Sequence, residues 1–239
     1  MLLLAMDTAT PAVTVALHDG ENVVAQSSQV DARRHGELLL PAVDRVLKEA
    51  GLALDKVTGL VVGVGPGPYT GLRVGLVTAA TFASALGVPV HGLCTLDGLA
   101  YAAGLDEPFA VATDARRKEV YWARYENSRT RVSEASVDRP ADIAERLAGL
   151  PVVGAGARLY PEAFPDAREP EHQSAAALAA LAAEKLAAGA SAGTGDTETG
   201  AGTEAGTGGV VPGFLEPLPM YLRRPDAQVP KNYKVVTPK

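Results

Sequence analysis

Chemistry in this 239-residue chain could come from three stretches: Asp7-Thr8-Ala9-Thr10, Asp114-Ala115-Arg116-Arg117-Lys118-Glu119, and the Gly/Pro tract Gly63-Val64-Gly65-Pro66-Gly67-Pro68-Tyr69-Thr70-Gly71. A carboxylate and two hydroxyls at the end of an apolar run suit a contact with a phosphate or a metal–phosphate. They equally suit a plain turn, because Asp and Thr side chains bond nearby backbone. Arg116, Arg117 and Lys118 read either as a solvated turn or as a phosphate contact. The Gly/Pro tract follows the apolar run Gly59–Val64 and opens into a long stretch of small residues. Proline fixes φ and disfavours helix in the residue before it, so the tract is a stiff loop between a strand and a helix. Thr70 is the expected N-cap of that helix. A helix N-terminus presented in this way can hold an anion.

Several kinds of site are excluded by residue type. No Lys-Ser or Lys-Thr follows the glycines, and Pro66 and Pro68 remove amide donors that a Walker-type loop needs. The glycine spacing does not match a dinucleotide fingerprint, and no Gly-x-Ser-x-Gly elbow is present. His18, His35, His91 and His172 are scattered, with no pair at i+4 to place two metal ligands on one helical face. The single cysteine, Cys94, allows no internal disulfide and no cysteine metal cluster. A net charge of −6 supplies no global field for a nucleic-acid backbone. No run approaches the roughly 18 apolar residues of a membrane span, and Met1–Asp7 lacks a basic leader region. The expectation is a cytoplasmic protein with no metal of its own and no membrane partner.

The elements that would position these residues follow from hydrophobic periodicity. Leu2–Met6, Val13–Leu17 and Val23–Val30 read as three strands, with Asp19-Gly20 as a hairpin turn. Leu39, Val43, Val46, Leu47 and Ala50 mark one face of a helical pattern from about Gly36, stopped by Gly51, in which the helix proper either starts near Pro41 or is kinked there. After the Gly/Pro tract, Gly71, Gly75, Ala79 and Ala83 recur at a strict spacing of four, a column that lets another helix approach closely. Val90–Cys94 and Phe109–Asp114 are further strands. A short helix capped at Thr95 or Asp97 lies between them. Val120–Tyr125 completes a strand, Asp-bearing turn and strand that echo the first set about a hundred residues on. Pro140–Leu147 and Ser174–Ala188 read as helices, and Pro151–Ala157 as a strand with a glycine turn. Gly189–Gly209 lacks apolar residues to bury, Pro217–Arg224 reads as extended, and the end of the chain is a flexible tail.

Asp7-Thr8-Ala9-Thr10, Gly63–Gly75, Asp114–Tyr121 and Pro219-Met220-Tyr221-Leu222-Arg223 together resemble the TsaB (YeaZ) family. The resemblance runs from residue 1 to about 225 apart from the low-complexity insert. It implies an α/β fold of the actin/Hsp70/sugar-kinase (ASKHA) type, with two similar lobes, each a mixed sheet flanked by helices. The lobes would be residues 1–104, carrying the partner-binding helices, and 105–225, carrying the insert 189–209; residues 226–239 would be a flexible tail. The family assists in forming N6-threonylcarbamoyladenosine at position 37 of tRNAs. Its catalytic relative TsaD carries a His-x-x-x-His metal pair, and the same places here hold Thr95 and Leu99, which cannot replace imidazole.

The resemblance therefore implies a non-catalytic scaffold subunit that binds and activates TsaD, with TsaE, an ATPase, as third partner. It implies a homodimer when the chain is alone, and tRNA contact only through the complex. The partner interface would use His35, Leu39, Val43, Val46, Gly71, Arg73, Gly75, Ala79 and Ala83. A nucleotide site, with ATP or ADP at the complex interface, would draw on Asp7, Thr8, Thr10, Asp114, Arg116, Gly154 and Gly156. The alternatives are an active ATP-dependent transferase or metallopeptidase of the same superfamily, and a homodimeric nucleotide sensor.

Overall fold

A computed structural model describes residues 1–192 and 213–223 of the chain. The three opening strands form β1 (Leu3–Asp7), β2 (Ala12–His18) and β3 (Val23–Val30), paired antiparallel in sequence order. α1 (His35–Ala50) follows and ends on Gly51 in the left-handed conformation, whose amide returns to the Leu47 and Lys48 carbonyls. Pro41 lies on the exposed side of α1 and does not end it. β4 (Gly59–Gly63), α2 (Tyr69–Leu86) and β5 (Val90–Leu93) then add two parallel strands, giving the order β3-β2-β1-β4-β5.

The second half repeats this plan. α3 (Thr95–Ala103) leads to β6 (Phe109–Asp114), β7 (Val120–Asn127), β8 (Thr130–Arg131) and β9 (Ser136–Asp138). α4 (Pro140–Ile143), β10 (Val152–Val153), α5 (Ala155–Leu159), β11 (Ala167–Arg168) and α6 (Ala175–Ala192) complete the described elements. The second sheet runs β11-β10-β6-β7-β8, with β9 also on β7. In each sheet an antiparallel hairpin is extended by two parallel strands on the side of its first strand. The echo between the two Asp-bearing turns is thus a duplicated topology.

Both faces of the first sheet are buried, as the alternation of side chains across a strand requires. Leu4, Met6, Val13, Val15, Leu60 and Val62 pack on one face with α1 and α2. Leu3, Ala5, Ala16 and Val61 pack on the other face with Ala175, Leu178, Ala179 and Ala182 of α6. The second sheet receives α3 instead, through Leu96, Leu99 and Ala100 against Phe109, Val111 and Tyr125. Each lobe therefore sends its last helix onto the other lobe's sheet. α3 and α6 meet in between, so closely that a Cβ on Gly98 would lie 2.6 Å from Leu178.

This exchange corrects the expected division at residue 104. α3 belongs by packing with the second sheet and α6 with the first, because a two-faced sheet needs a cover that its own lobe does not supply. Segment 213–223 also returns to the first lobe, where Leu215 bridges Gly92 and the Met220 amide donates to the Val64 carbonyl at 2.8 Å, while its Arg223 pairs with Glu119 of the β6–β7 turn in the second. α6 extends to Ala192, so the expected insert at 189–209 begins inside a helix; the rest of it lies outside the described residues, as does the expected tail at 226–239.

α2 departs from expectation in two ways. Its N-cap is Pro68, whose carbonyl accepts from the Leu72 amide at 3.1 Å, so Thr70 sits inside the first turn. The small-residue column also faces inward. Thr8 Oγ1 donates to the Gly71 carbonyl at 2.7 Å and accepts from the Gly75 amide at 2.9 Å. Those two groups are the acceptor and donor of one i→i−4 step of the helix. A Cβ on Gly75 would lie 2.7 Å from Thr8 Oγ1, and Ala79 is fully buried. The expected partner helix is replaced by the end of β1.

Gly75→Leu should therefore destabilise the isolated chain by about 3 kcal/mol, through overpacking and loss of the bridge. Thr8→Val should cost about 1–3 kcal/mol and Thr8→Ser much less. Denaturant unfolding measures both, and a Gly75→Leu protein as stable as the parent would refute the inward assignment.

Candidate functional site

The ends of β1 and β4 meet in register, since Met6 pairs with Val62. Their next residues, Asp7 and Gly63, lie side by side, and a Cβ on Gly63 would fall 1.9 Å from Asp7 Oδ2. Glycine at 63 thus vacates the space that the carboxyl fills. Asp7 Oδ1 accepts from the Ala9 amide at 2.7 Å, and Oδ2 accepts from Thr95 Oγ1 at 2.8 Å. Thr95 Oγ1 in turn accepts from the Gly65 amide at 3.2 Å. Asp7 and Thr95 have no exposed surface. Burial pushes the Asp7 carboxyl up from 3.8 to about 6, against the hydrogen bonds from Ala9 and Thr95 that pull it down.

The neighbouring hydroxyls are also committed inward. Thr8 bridges Gly71 and Gly75 of α2, and Thr10 donates to Gln173 Oε1. Gln173 Nε2 donates to the Ala12 carbonyl at 2.8 Å, and Thr14 Oγ1 accepts from the Ala175 amide at the start of α6. The β1–β2 turn is thereby stitched to α2 on one side and to α6 on the other. His35 Nε2 donates to the Thr10 carbonyl at 2.8 Å and ties α1 to the same turn. Cys94, fully buried with its thiol pushed up to about 12 by desolvation, is no nucleophile.

A cavity of about 310 Å³ opens between the β1–β2 turn, the starts of α1 and α2, and the β6–β7 turn. Of the residues expected to touch nucleotide, Thr8, Thr10, Asp114 and Arg116 line it. His35 and Gly71, expected at a partner interface, line it as well. Asp7 does not, being sealed behind the turn by Ala9 and Thr95. Gly154 and Gly156 do not either: both press on the Ala112 carbonyl, where added Cβ atoms would lie 2.4 and 2.8 Å away. They permit α5 to approach β6. Arg33, which sequence reasoning did not select, lines the cavity beside Ala32 and Gly36. Its only local signal is its place just before a helix start.

The expected interface set divides by burial. Leu39, Val43 and Val46 lie in the core between α1 and the sheet. Gly71, Gly75 and Ala79 are buried against β1 and its turn, and Ala83 is half-buried against the same core. These seven side chains already have partners within the chain, which corrects their assignment to an outer surface. Arg73 alone of the set stands in solvent. It lies 3.9 Å over the Tyr69 ring and donates to Tyr221 Oη at 3.2 Å, while the two tyrosines stack at 5.1 Å. Tyr69, Arg73 and Val77 recur at i+4 on the solvent side of α2, about 200° around the helix from the glycines. Val77 is 62% exposed and Leu40 of α1 is 53% exposed.

Comparison with known proteins joins this geometry to a family. The family model described as TsaD, tRNA N6-adenosine threonylcarbamoyltransferase, matches residues 22–192. An uncharacterized Mycobacterium tuberculosis protein is 40% identical over 231 residues, covering 95% of this chain and 93% of that protein. A Mycobacterium leprae protein is 46% identical over 158 residues, or 63% of this chain, but only 43% of that protein's length is spanned. The Escherichia coli tRNA threonylcarbamoyladenosine biosynthesis protein TsaB is 34% identical over 174 residues, covering 68% of this chain and 74% of that one. The chain belongs to the TsaB/YeaZ family. YeaZ from Pseudomonas aeruginosa superposes with a TM-score of 0.72 at 29% identity, covering 92% of this chain and 99% of that one. At the level of fold alone, an activator of 2-hydroxyisocaproyl-CoA dehydratase from Clostridium difficile gives a TM-score of 0.51 at 10% identity, over 83% of this chain and all of that one. The two-lobed architecture is that of the actin/Hsp70/sugar-kinase class.

The buried Asp7 of this TsaB/YeaZ member sets a pH dependence. An acid with a raised folded pKa binds its proton more tightly when folded, so stability falls as pH rises from about 4 to about 6. The loss should be on the order of 2–3 kcal/mol. Asp7→Asn should flatten the profile by that amount, read from denaturant unfolding at pH 4.5 and 7.5. Equal slopes in both proteins would contradict the buried-carboxylate assignment.

Proposed function

We propose that the chain serves tRNA threonylcarbamoyladenosine biosynthesis as a non-catalytic cytoplasmic subunit that docks on TsaD and activates it. The observation that carries this reading is the fate of the two positions where the TsaD pattern has its metal histidines. Thr95 spends its hydroxyl between the Asp7 carboxylate and the Gly65 amide, and Leu99 is fully buried among Val111, Phe109 and Val153. Neither can present a nitrogen to a transition metal, and a buried leucine offers no donor of any kind. The residues here do not fit that metal, so no catalytic step is assigned to it.

The docking face supported by burial is the solvent stripe of α2, Tyr69, Arg73 and Val77, together with Leu40 of α1. Exposed apolar residues flanked by an ordered Tyr–Arg stack are the composition of a protein-binding patch. In this reading TsaE joins the assembly as the ATPase, the α1–α2 face serves a homodimer when TsaD is absent, and tRNA is met through the complex.

Two charge-bearing variants test the face without touching the core. Val77→Asp combined with Leu40→Asp should weaken the complex with TsaD at least about tenfold, corresponding to about 1.4 kcal/mol, while leaving the unfolding midpoint of the isolated chain unchanged. Co-purification and a binding titration read the first effect, and thermal denaturation reads the second. In a reconstituted threonylcarbamoylation assay, omission of this chain should abolish or strongly reduce product. Full activity of TsaD without it, or turnover by this chain alone, would replace the scaffold reading with an enzymatic one.

A further inference from the structure

Pro219-Met220-Tyr221-Leu222-Arg223 touches both lobes, although it belongs to the covering helix of neither. The segment that carries it is seated on the first lobe at backbone distance. Leu215 bridges Gly92 of β5, where an added Cβ would lie 2.6 Å from the Leu215 carbonyl oxygen. Phe214 is buried with its ring 4.6 Å from that of His91, and the Met220 amide donates to the Val64 carbonyl at 2.8 Å. The Met220 side chain packs on two cores at once, the α1–α2 side of the first sheet and the α3 side of the second.

Two residues of the segment then reach different lobes. Tyr221 stacks on Tyr69 at 5.1 Å and accepts from Arg73 Nε at 3.2 Å, which fixes it to the first turns of α2. Arg223 pairs with Glu119, at the end of the β6–β7 turn. The side chains of that pair are only 24% and 29% exposed, so solvent and salt screen it less than a fully exposed ion pair. Tyr221 and Arg223 are two residues apart, a reach of at most about 7 Å along the chain. One short strap therefore joins the start of α2 to the β6–β7 turn.

The turn at the far end of this strap depends on being held. Arg116, Arg117 and Lys118 all have left-handed φ angles, between 55° and 63°. Such backbone is disfavoured for non-glycine residues and persists only where its surroundings over-determine it. The turn closes through the Ala115 amide on the Glu119 carbonyl and the Glu119 amide on the Arg116 carbonyl, both at 3.0 Å. Glu119 is thus the residue that closes the turn and the residue that the strap fastens. At the other end Tyr221 is 42% exposed beside the exposed Tyr69, so a protein lying along Tyr69, Arg73 and Val77 meets Tyr221 as well.

We propose that Tyr221 and Arg223 relay docking on the α2 stripe to the second lobe: a protein that immobilises Tyr221 tightens the Arg223–Glu119 pair and so orders the β6–β7 turn. The relay rests on the docking reading, with TsaD as the protein on the stripe. Its coupling is the difference in freedom of one strap between the free and the docked chain, and it requires no displacement of either core.

Amide hydrogen exchange of the full chain, alone and with saturating TsaD, tests this. In the parent, TsaD should slow exchange at residues 69–77, and should slow residues 115–119 about fivefold or more. Arg223→Ala and Glu119→Gln, the second preserving side-chain shape, should still bind TsaD and show the same protection at 69–77. In either variant, exchange at 115–119 should be faster in the free chain and should respond to TsaD by less than about twofold. Equal slowing of 115–119 in the parent and both variants would overturn the relay, as would no slowing there while 69–77 are protected; either result leaves docking on the stripe intact. No protection of 69–77 by TsaD would instead refute the docking reading, and the relay with it.

Discussion

The fold depends on how residues 7–9 are seated. Thr8 places its hydroxyl between a carbonyl and an amide that belong to one step of α2, across more than sixty residues of sequence. A side chain can insert there only if the helix and the strand end approach at backbone distance, and glycine alone permits that. Gly63 clears the Asp7 carboxyl, Gly67 clears the Ala9 carbonyl, and Gly71 and Gly75 clear Thr8. Four glycines at a spacing of four are thus complementary to three consecutive residues of β1 and its turn. Within α2 the spacing of Gly71 and Gly75 follows from the contact, because an α-helix returns to the same side about every fourth residue; Gly63 ends β4 and Gly67 lies in the loop between them.

From that contact the remaining geometry follows. The seated turn is held by His35 of α1, by Gln173 before α6 and by the Ala175 amide at the α6 N-terminus, which donates to Thr14 of β2. Helices from both halves of the chain therefore converge on one hairpin, and the exchange of α3 and α6 between sheets makes the two lobes interdependent. Neither sheet keeps both faces covered without the other lobe's helix, since each buries apolar side chains on both sides. The Asp7 carboxylate sits where these pieces join. Its full burial, together with hydrogen bonds from Thr95 and Ala9, makes it a structural anchor of the strand ends, while the cavity beside it is left to arginines and helix starts.

With threonine and leucine at 95 and 99, the start of α3 completes the core and supports the Gly65 loop. The loop in turn fixes the direction of α2 and of its outward stripe. The C-terminal segment reinforces that direction by stacking Tyr221 on Tyr69 and bonding the Val64 carbonyl.

Much of the architecture was legible in the residues. Short apolar runs bounded by turn residues marked β1, β2, β4, β6 and β7, the 3.6-residue period marked α1, and the repeated Asp-bearing turn foretold the duplicated sheet, because a strand buried on both faces is apolar throughout and a helix buried on one face is apolar at every third or fourth residue. Asp7-Thr8-Ala9-Thr10 and Gly63–Gly75, taken with Asp114–Tyr121 and Pro219–Arg223, indicated the family. The column Gly71–Gly75–Ala79 likewise announced a close approach. What it could not disclose was the approaching group, since small residues record the absence of a side chain and leave the neighbour unnamed. Only the folded chain showed that the neighbour is Thr8. For the same reason Leu39, Val43 and Val46 were readable as a helical face without indication of whether their own sheet or a partner covers it. The turn residues were legible as chemistry-bearing, but Arg33 was not, and Asp7 could not be read as sealed. Which groups meet across long sequence separations is decided by tertiary packing, where burial, shape and hydrogen-bond satisfaction act together on residues that local pattern treats separately.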